Sequence, residues 1–271
     1  CTQGQGRPSS LFLGTHFSGL LFVLYFLFLS VEKLLAMERL GMRGRIFIQS
    51  NVDQTKADYL RRHGARIEFH GLDCVEAETA ARKAAQAEQG VYVSPYNDPD
   101  IVAGQGTIGM EIYEELPDAD TVLVSVGGGG LIGGIAAYLK HVKPTVKVIG
   151  CSPQKSKVMY ESVRAGKIVE EESYDTLSDG TAGGVEAGSV TFPLCQKLVD
   201  EWMIVSEENI ARGVYFMLEN HHKIVEGAAG MVIGAFLANA EKFKGQKVVL
   251  VSCGNNISVQ KIRAIIDQFS K

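Results

Sequence analysis

Residues 121–134 read TVLVSVGGGGLIGG, a β-branched apolar run that ends on four consecutive glycines and passes at once into a helix-forming segment. A run of that kind shows no alternation of polar and apolar positions. It fits a strand buried on both faces, and such strands belong to a parallel sheet layered between helices. The same pattern repeats along the chain. Strands are expected over 45–49, 66–69, 91–93, 121–126, 147–150 and 247–251, and helices over 53–63, 74–89, 108–116, 131–140, 158–165, 207–220, 228–243 and 259–269. The fold class is α/β with a parallel sheet. Ligands of such sheets gather at the carboxyl ends of the strands, so the loops after Val126 and Val251 are where chemistry is to be sought.

The glycines make the first of these loops a candidate anion site. Gly127, Gly128, Gly129 and Gly130 allow backbone N–H groups to converge without Cβ obstruction, and the helix start adds its partial positive charge. No Lys-Ser/Thr pair follows, which disfavours hydrolysis of a nucleoside triphosphate. The loop does not match G-x-G-x-x-G with an acidic residue ~20 positions on, as a dinucleotide ribose requires. The competing reading is a tight turn that lets the helix pack closely.

Composition narrows the partners. With 27 Lys+Arg against 31 Asp+Glu, the chain has no basic excess with which to hold a nucleic-acid backbone, and nucleic acid is not an expected partner. The five cysteines, an odd number without C-x-x-C spacing or clustered histidines, speak against a disulfide framework and a zinc site, and for reducing, cytoplasmic surroundings.

A break in composition falls near residue 34. Residues 11–31, LFLGTHFSGLLFVLYFLFLSV, are long and apolar enough to span a bilayer, which takes ~20 residues. A secretory signal is a second reading, although no clear small-x-small cleavage site follows, and a segment that is no designed element is a third. Membrane contact through Leu11–Val31 is not the favoured reading, and the chain, which begins on Cys1, is expected to be a fragment.

Four segments carry a family resemblance: SPYNDPDIVAGQGTIGMEIYEE (94–115), the tetraglycine loop, VEGAAG (225–230) and SCGNNIS (252–258). In this order and spacing they resemble the threonine/serine dehydratase branch of the fold type II pyridoxal-phosphate enzymes, which includes serine racemase. The resemblance covers residue 34 to the C-terminus. It implies a tryptophan synthase β-like fold with an incomplete small domain. Three regions follow: an apolar segment outside the family (1–33), a remnant of the small α/β domain (34–93) and a large cofactor-binding domain (94–271). It further implies pyridoxal 5′-phosphate as cofactor, a small amino-acid substrate, a homodimer as the expected assembly, and release of a 2-oxo acid and ammonia from L-threonine or L-serine.

Residue by residue, the resemblance assigns the cofactor phosphate to Gly127, Gly128, Gly129, Gly130 and the amide of Leu131. It places Cys253 at the pyridine nitrogen, where serine or cysteine is usual. A neutral partner there leaves the ring less electron-withdrawing than an Asp partner would, which suits β-elimination; taken alone, Cys253 also reads as a buried thiol filling a gap. Asn256 matches the turn asparagine, while Asn255 stands where glycine is usual. Glu226 is either a carboxylate near the ring or a cap on the following helix. His221 and His222 read as a solvated helical pair.

Two family elements do not occur in the sequence. One is the Ser-Phe-Lys-x-Arg segment whose lysine holds the cofactor aldehyde; the other is the S-S-G-N loop that grips the substrate carboxylate. Lys56, in DQTKADYLRRHGA, matches an ordinary helix of the small domain. No catalytic residue is therefore assigned, and impaired activity is the expectation, with two alternatives: a lysine-free protein that binds the cofactor or another phosphate metabolite, and a racemase-type activity. Relatives in the racemase branch hold a divalent cation with acidic residues, but Ser152 and Val158 occupy the corresponding stretch here. No metal is expected from that stretch, leaving Asp179 and Glu186 as the remaining oxygen donors.

Overall fold

The computed structural model describes residues 44–270, Arg39, and two short strands, β1 (Leu11–Phe12) and β2 (Leu20–Leu24). The remainder of the 11–31 stretch, on which the membrane-span and signal readings rest, lies outside the described residues. Among the described residues no helix is long and apolar enough to cross a membrane.

Two sheets organise the described residues. The smaller pairs β3 (Ile46–Ile48) with β4 (Ile67–Phe69) in parallel, and a separate cluster of Ile46 and Leu60 with Ile48, Ala65 and Ile67 packs beside it. Helix α1 (Gln54–Arg62) joins the two strands. It starts on Asp53, whose carboxylate accepts the amide of Thr55 at 2.9 Å, and it stops before Gly64. Helix α2 (Cys74–Ala87) follows, with a reciprocal capping box between Asp73 and Glu76. Residues 91–93, expected as a strand, form none. Val91 is almost fully exposed, and among the described residues no ladder forms over this segment.

The larger sheet has the order β1-β2-β8-β5-β6-β7, where β5 is Thr121–Ser125, β6 Lys147–Pro153, β7 Glu201–Val205 and β8 Val248–Ser252. All pairings from β2 to β7 are parallel, and only β1 runs antiparallel to β2. Both β5 and β8 are buried along their whole length, as unbroken apolar runs demand. They are direct neighbours, with Leu123 opposite Leu250. The loops leaving them therefore emerge side by side at one edge.

Helices cover the sheet: α3 (Pro99–Glu115), α4 (Gly130–Val142), α5 (Val158–Ala165), α6 (Thr191–Leu198), α7 (Glu207–His221), α8 (Gly227–Ala238) and α9 (Val259–Phe269). Helix α8 is buried from Gly227 to Phe236, which its unbroken apolar sequence explains. Its Gly230 and Gly234 lie against the backbone of α7, an approach that a Cβ would block. Helix α3 begins nine residues before its expected start, because Asp98 caps it, accepting from Asp100 (2.8 Å) and Ile101 (3.3 Å), while Pro99 takes its first position. Helix α6 and strand β7 were not legible in the sequence.

Candidate functional site

The loop between β5 and α4 is built so that its carbonyls and its amides face different ways. Thr191 on α6 donates its hydroxyl to the carbonyl of Gly128 at 2.6 Å, and the carbonyl of Gly129 accepts the first intrahelical bond, from Gly133, at 2.9 Å. In a trans peptide the N–H points opposite to the C=O, so the amides of Gly129 and Gly130 are directed away from these partners. Helix α4 has no side-chain cap. Its leading amides, on Gly130, Leu131 and Ile132, therefore have no intrahelical acceptor and carry the positive end of the helix dipole. Within this array Leu131 is partly exposed, as are Gly127 and Gly128 ahead of it, while Gly129, Gly130 and Ile132 are buried.

Each glycine is also required by packing. A Cβ on Gly127 would sit 2.9 Å from the Cα of Thr181; one on Gly128 would run into the ring of Tyr96; one on Gly130 would sit 3.0 Å from the Tyr96 Cβ. Gly129 has φ +85°, and a Cβ there would lie 2.8 Å from the Cys195 sulfur. The glycines thus close the Cβ side of the loop, as the tight-turn reading requires, while their amides point the other way. Tyr96, which sequence reasoning left without a role, forms that wall. Its hydroxyl accepts the Glu186 amide at 2.8 Å and donates to Glu78 at 3.2 Å.

Cys253 leaves the neighbouring strand, and its sulfur lies 3.2 Å from the hydroxyl of Ser125 at the end of β5. The thiol is buried, and burial first, then the nearby Glu226, pushes its pKa up to about 12, so the Ser125–Cys253 pair is neutral. Glu226 occupies the cap position of α8, yet its carboxylate does not cap that helix. It turns to the loop after β8 and accepts the Asn256 amide at 3.2 Å, while its own amide donates to the Gly254 carbonyl at 3.0 Å. The helix-capping alternative is thereby removed. Burial raises the Glu226 pKa to about 6 despite the opposing pull of Lys56, and Asp179 pushes in the same direction as burial. Asn255 is exposed and Asn256 half-buried.

The remaining candidates fall elsewhere. Lys56 on α1 reaches across to Asp179 at 2.9 Å, and Lys261 on α9 meets the same carboxylate at 2.9 Å. Glu186 is held by Arg82, 3.0 Å from both oxygens, and by Asn97 at 2.6 Å. Both carboxylates left as oxygen donors are thus engaged by cations. Ser152 is buried and Val158 opens α5. His221 ends α7 and His222 is its left-handed cap at φ 54°, so the two are not successive helical positions. A groove of about 560 Å³ between α3, α4 and α6 is lined by Val102, Met110, Ala137, Tyr138 and Leu194; its apolar walls offer no acid–base chemistry comparable to the strand ends.

A parallel sheet thus carries, at neighbouring strand ends, an uncapped glycine-rich helix start and a neutral thiol–hydroxyl pair. Residues 34–254 match the family model of pyridoxal-phosphate dependent enzymes, and the chain belongs to that family, in its threonine dehydratase branch. It is 40% identical over 234 residues to an L-threonine ammonia-lyase of Thermotoga maritima, covering 86% of this chain and 58% of the relative. It is 31% identical to the L-threonine dehydratase catabolic TdcB of Escherichia coli K12, covering 83% of this chain and 69% of the relative. The processed form of threonine deaminase isoform 2 from Solanum lycopersicum superposes with a TM-score of 0.80 at 29% identity, covering 92% of this chain and 69% of that one. Maize serine racemase shares the fold, with a TM-score of 0.77. The chain spans less than two thirds of the length of the Thermotoga relative, and the cofactor implied by its family is pyridoxal phosphate.

Proposed function

We propose that this chain holds pyridoxal phosphate through the amides of Gly127, Gly128, Gly129, Gly130 and Leu131, with Cys253 at the pyridine nitrogen. The proposed activity of the architecture is an L-threonine or L-serine ammonia-lyase releasing a 2-oxo acid and ammonia. The residues fit the cofactor. A cup whose Cβ side is filled leaves only backbone donors for an anion, and a neutral Ser125–Cys253 pair, 3.2 Å apart, stands at the end of the adjacent strand. That pair beside the uncapped α4 is the observation that carries the reading. When bound, the cofactor supplies an electron sink for bonds at the substrate α-carbon. The protein orients it through phosphate and ring. Glu226 holds the post-β8 loop through Asn256, and Tyr96 keeps the glycine loop in register. Residues 34–93 would form the small domain and 94–271 the cofactor domain, with a homodimer as the assembly.

A second reading, binding without turnover, draws on Lys56. Its amine is turned to Asp179, and no Ser-Phe-Lys-x-Arg segment stands in the sequence to offer another. Equilibrium dialysis with pyridoxal phosphate and with pyridoxal, which lacks the phosphate, tests the shared part. The expected result is retention of the former over the latter, abolished in Gly129→Val. Equal retention of both would discard the glycine cup.

A further inference from the structure

Asp179 begins the short 3-10 turn Asp179–Thr181, and a row of alternating charges runs through it. Lys56 Nζ lies 2.9 Å from one carboxylate oxygen and Lys261 Nζ 2.9 Å from the other. Lys261 also lies 3.4 Å from Asp53, the cap of the helix that carries Lys56. Charges alternate along the row Lys56, Asp179, Lys261, Asp53, and its four side chains are only 17–28% exposed, so they interact more strongly than freely solvated surface pairs. This row ties α1 and α9 to one short turn.

That turn has two further neighbours. Gly180 faces the Glu226 carboxylate, with room for a Cβ only at 3.4 Å, and the backbone of Thr181 lies against Gly127 of the glycine loop. Bonds from Thr181 to the Ser178 hydroxyl (2.7 Å) and carbonyl (2.9 Å) make the turn a single rigid piece. One turn of 3-10 helix has little hydrogen bonding of its own to fix its position, so its side-chain anchors decide where it stands.

We propose that Asp53, Lys56, Asp179 and Lys261 form a clamp that seats the 179–181 turn against Gly127 and Glu226, so that α1 sets the shape of the anion-binding loop. Lys56 and Lys261 are positioning residues that act through Asp179. The proposal rests on the reading that the glycine loop holds an anion, and it extends that reading to residues of another element.

The test compares the full chain with Lys56→Met, Lys261→Met and Lys56→Arg. Amide hydrogen exchange is followed at 127–131 and 179–182 without ligand, and dissociation constants for pyridoxal phosphate and inorganic phosphate are measured by dialysis. Both Met variants are expected to exchange about tenfold faster in the two segments. They are also expected to bind both ligands about three- to tenfold more weakly. Lys56→Arg, which can still reach Asp179, restores both readouts. Faster exchange at 179–182 with unchanged exchange at 127–131 overturns the clamp. Should the Met variants not fold, Lys56→Gln and Lys261→Gln, which remove the charge but keep a polar side chain, decide by the same criterion. If the unmodified chain binds neither ligand, the anion reading fails, while exchange at 127–131 still shows whether the clamp shapes the loop.

Discussion

Glu226 is a carboxylic acid placed where a carboxylate is costly. Its pKa rises from an ordinary 4.5 to about 6, chiefly through burial. Between those values the folded protein binds more protons at this site than the unfolded chain does, so stability falls as pH rises through the window. Above it, the charged buried form costs about 2 kcal/mol. Glu226→Gln keeps an acceptor for the Asn256 amide and carries no charge. The variant is expected to match the unmodified protein below pH 4.5 and to exceed it by about 2 kcal/mol above pH 6, by urea unfolding at each pH. A constant offset across that range would show that Glu226 is charged throughout. Gly129→Val tests a different strain. With φ +85° and the Cys195 sulfur 2.8 Å from the new Cβ, a loss of about 2 kcal/mol or more is expected, read as a lowered thermal midpoint together with loss of cofactor retention. Of these residues the sequence announced the glycines, because four in succession mark a loop shaped either to receive an anion or to turn tightly against its neighbours. It could not announce Tyr96 or Lys261, whose parts depend on chain separations that no local pattern encodes.

At the scale of elements, alternation of apolar runs and helical segments was readable because strands buried on both faces leave no other layer arrangement. Helix α3 shows where that legibility ends. Gly104, Gly106 and Gly109 make its first half look like a loop, since each glycine costs a helix interior about 1 kcal/mol relative to alanine. Tertiary packing overrides propensity at Gly109, where a Cβ would lie 2.9 Å from the Ile135 carbonyl of α4. Gly104 has no such reason: it is exposed and nothing lies within 4 Å of where its Cβ would be. The two positions should therefore respond with opposite sign. Gly104→Ala is expected to stabilise by about 0.5–1 kcal/mol, and Gly109→Ala to destabilise by about 1–3 kcal/mol, measured by chemical unfolding. Destabilisation at both would mean that α3 does not start at Pro99. Helix α6 was unreadable for a related reason, because its Phe192 and Pro193 give no helical signal until Thr191 and Cys195 are seen packed on the glycine loop.

At the scale of the molecule, the cofactor-holding parts and the reacting amine are separate questions. The glycine cup, Cys253 and Glu226 gather at the ends of β5, β8 and the start of α8, and all of them lie within the stretch that matches the family model. The amine that a deaminating enzyme of this family needs does not stand among them. Lys56 and Lys261 both turn to Asp179, and the Ser-Phe-Lys-x-Arg and S-S-G-N segments do not occur in these 271 residues. Positioning of reactant and catalytic group can supply roughly 7–11 kcal/mol of barrier reduction, and a phosphate cup remote from the bond being broken does not replace it. This polypeptide is therefore expected to retain pyridoxal phosphate yet release no measurable ammonia from L-threonine or L-serine in a coupled assay. Placing a segment with both missing motifs ahead of residue 34, in place of residues 1–33, is expected to bring 2-oxo acid formation with it. Ammonia release by the unaltered chain at an enzymatic rate would require an amine already in reach. Lys56→Arg would then identify it, because arginine keeps the ion pair with Asp179 but removes the nucleophile, abolishing turnover if Lys56 were the reacting group and leaving it intact if the lysine only positions the turn.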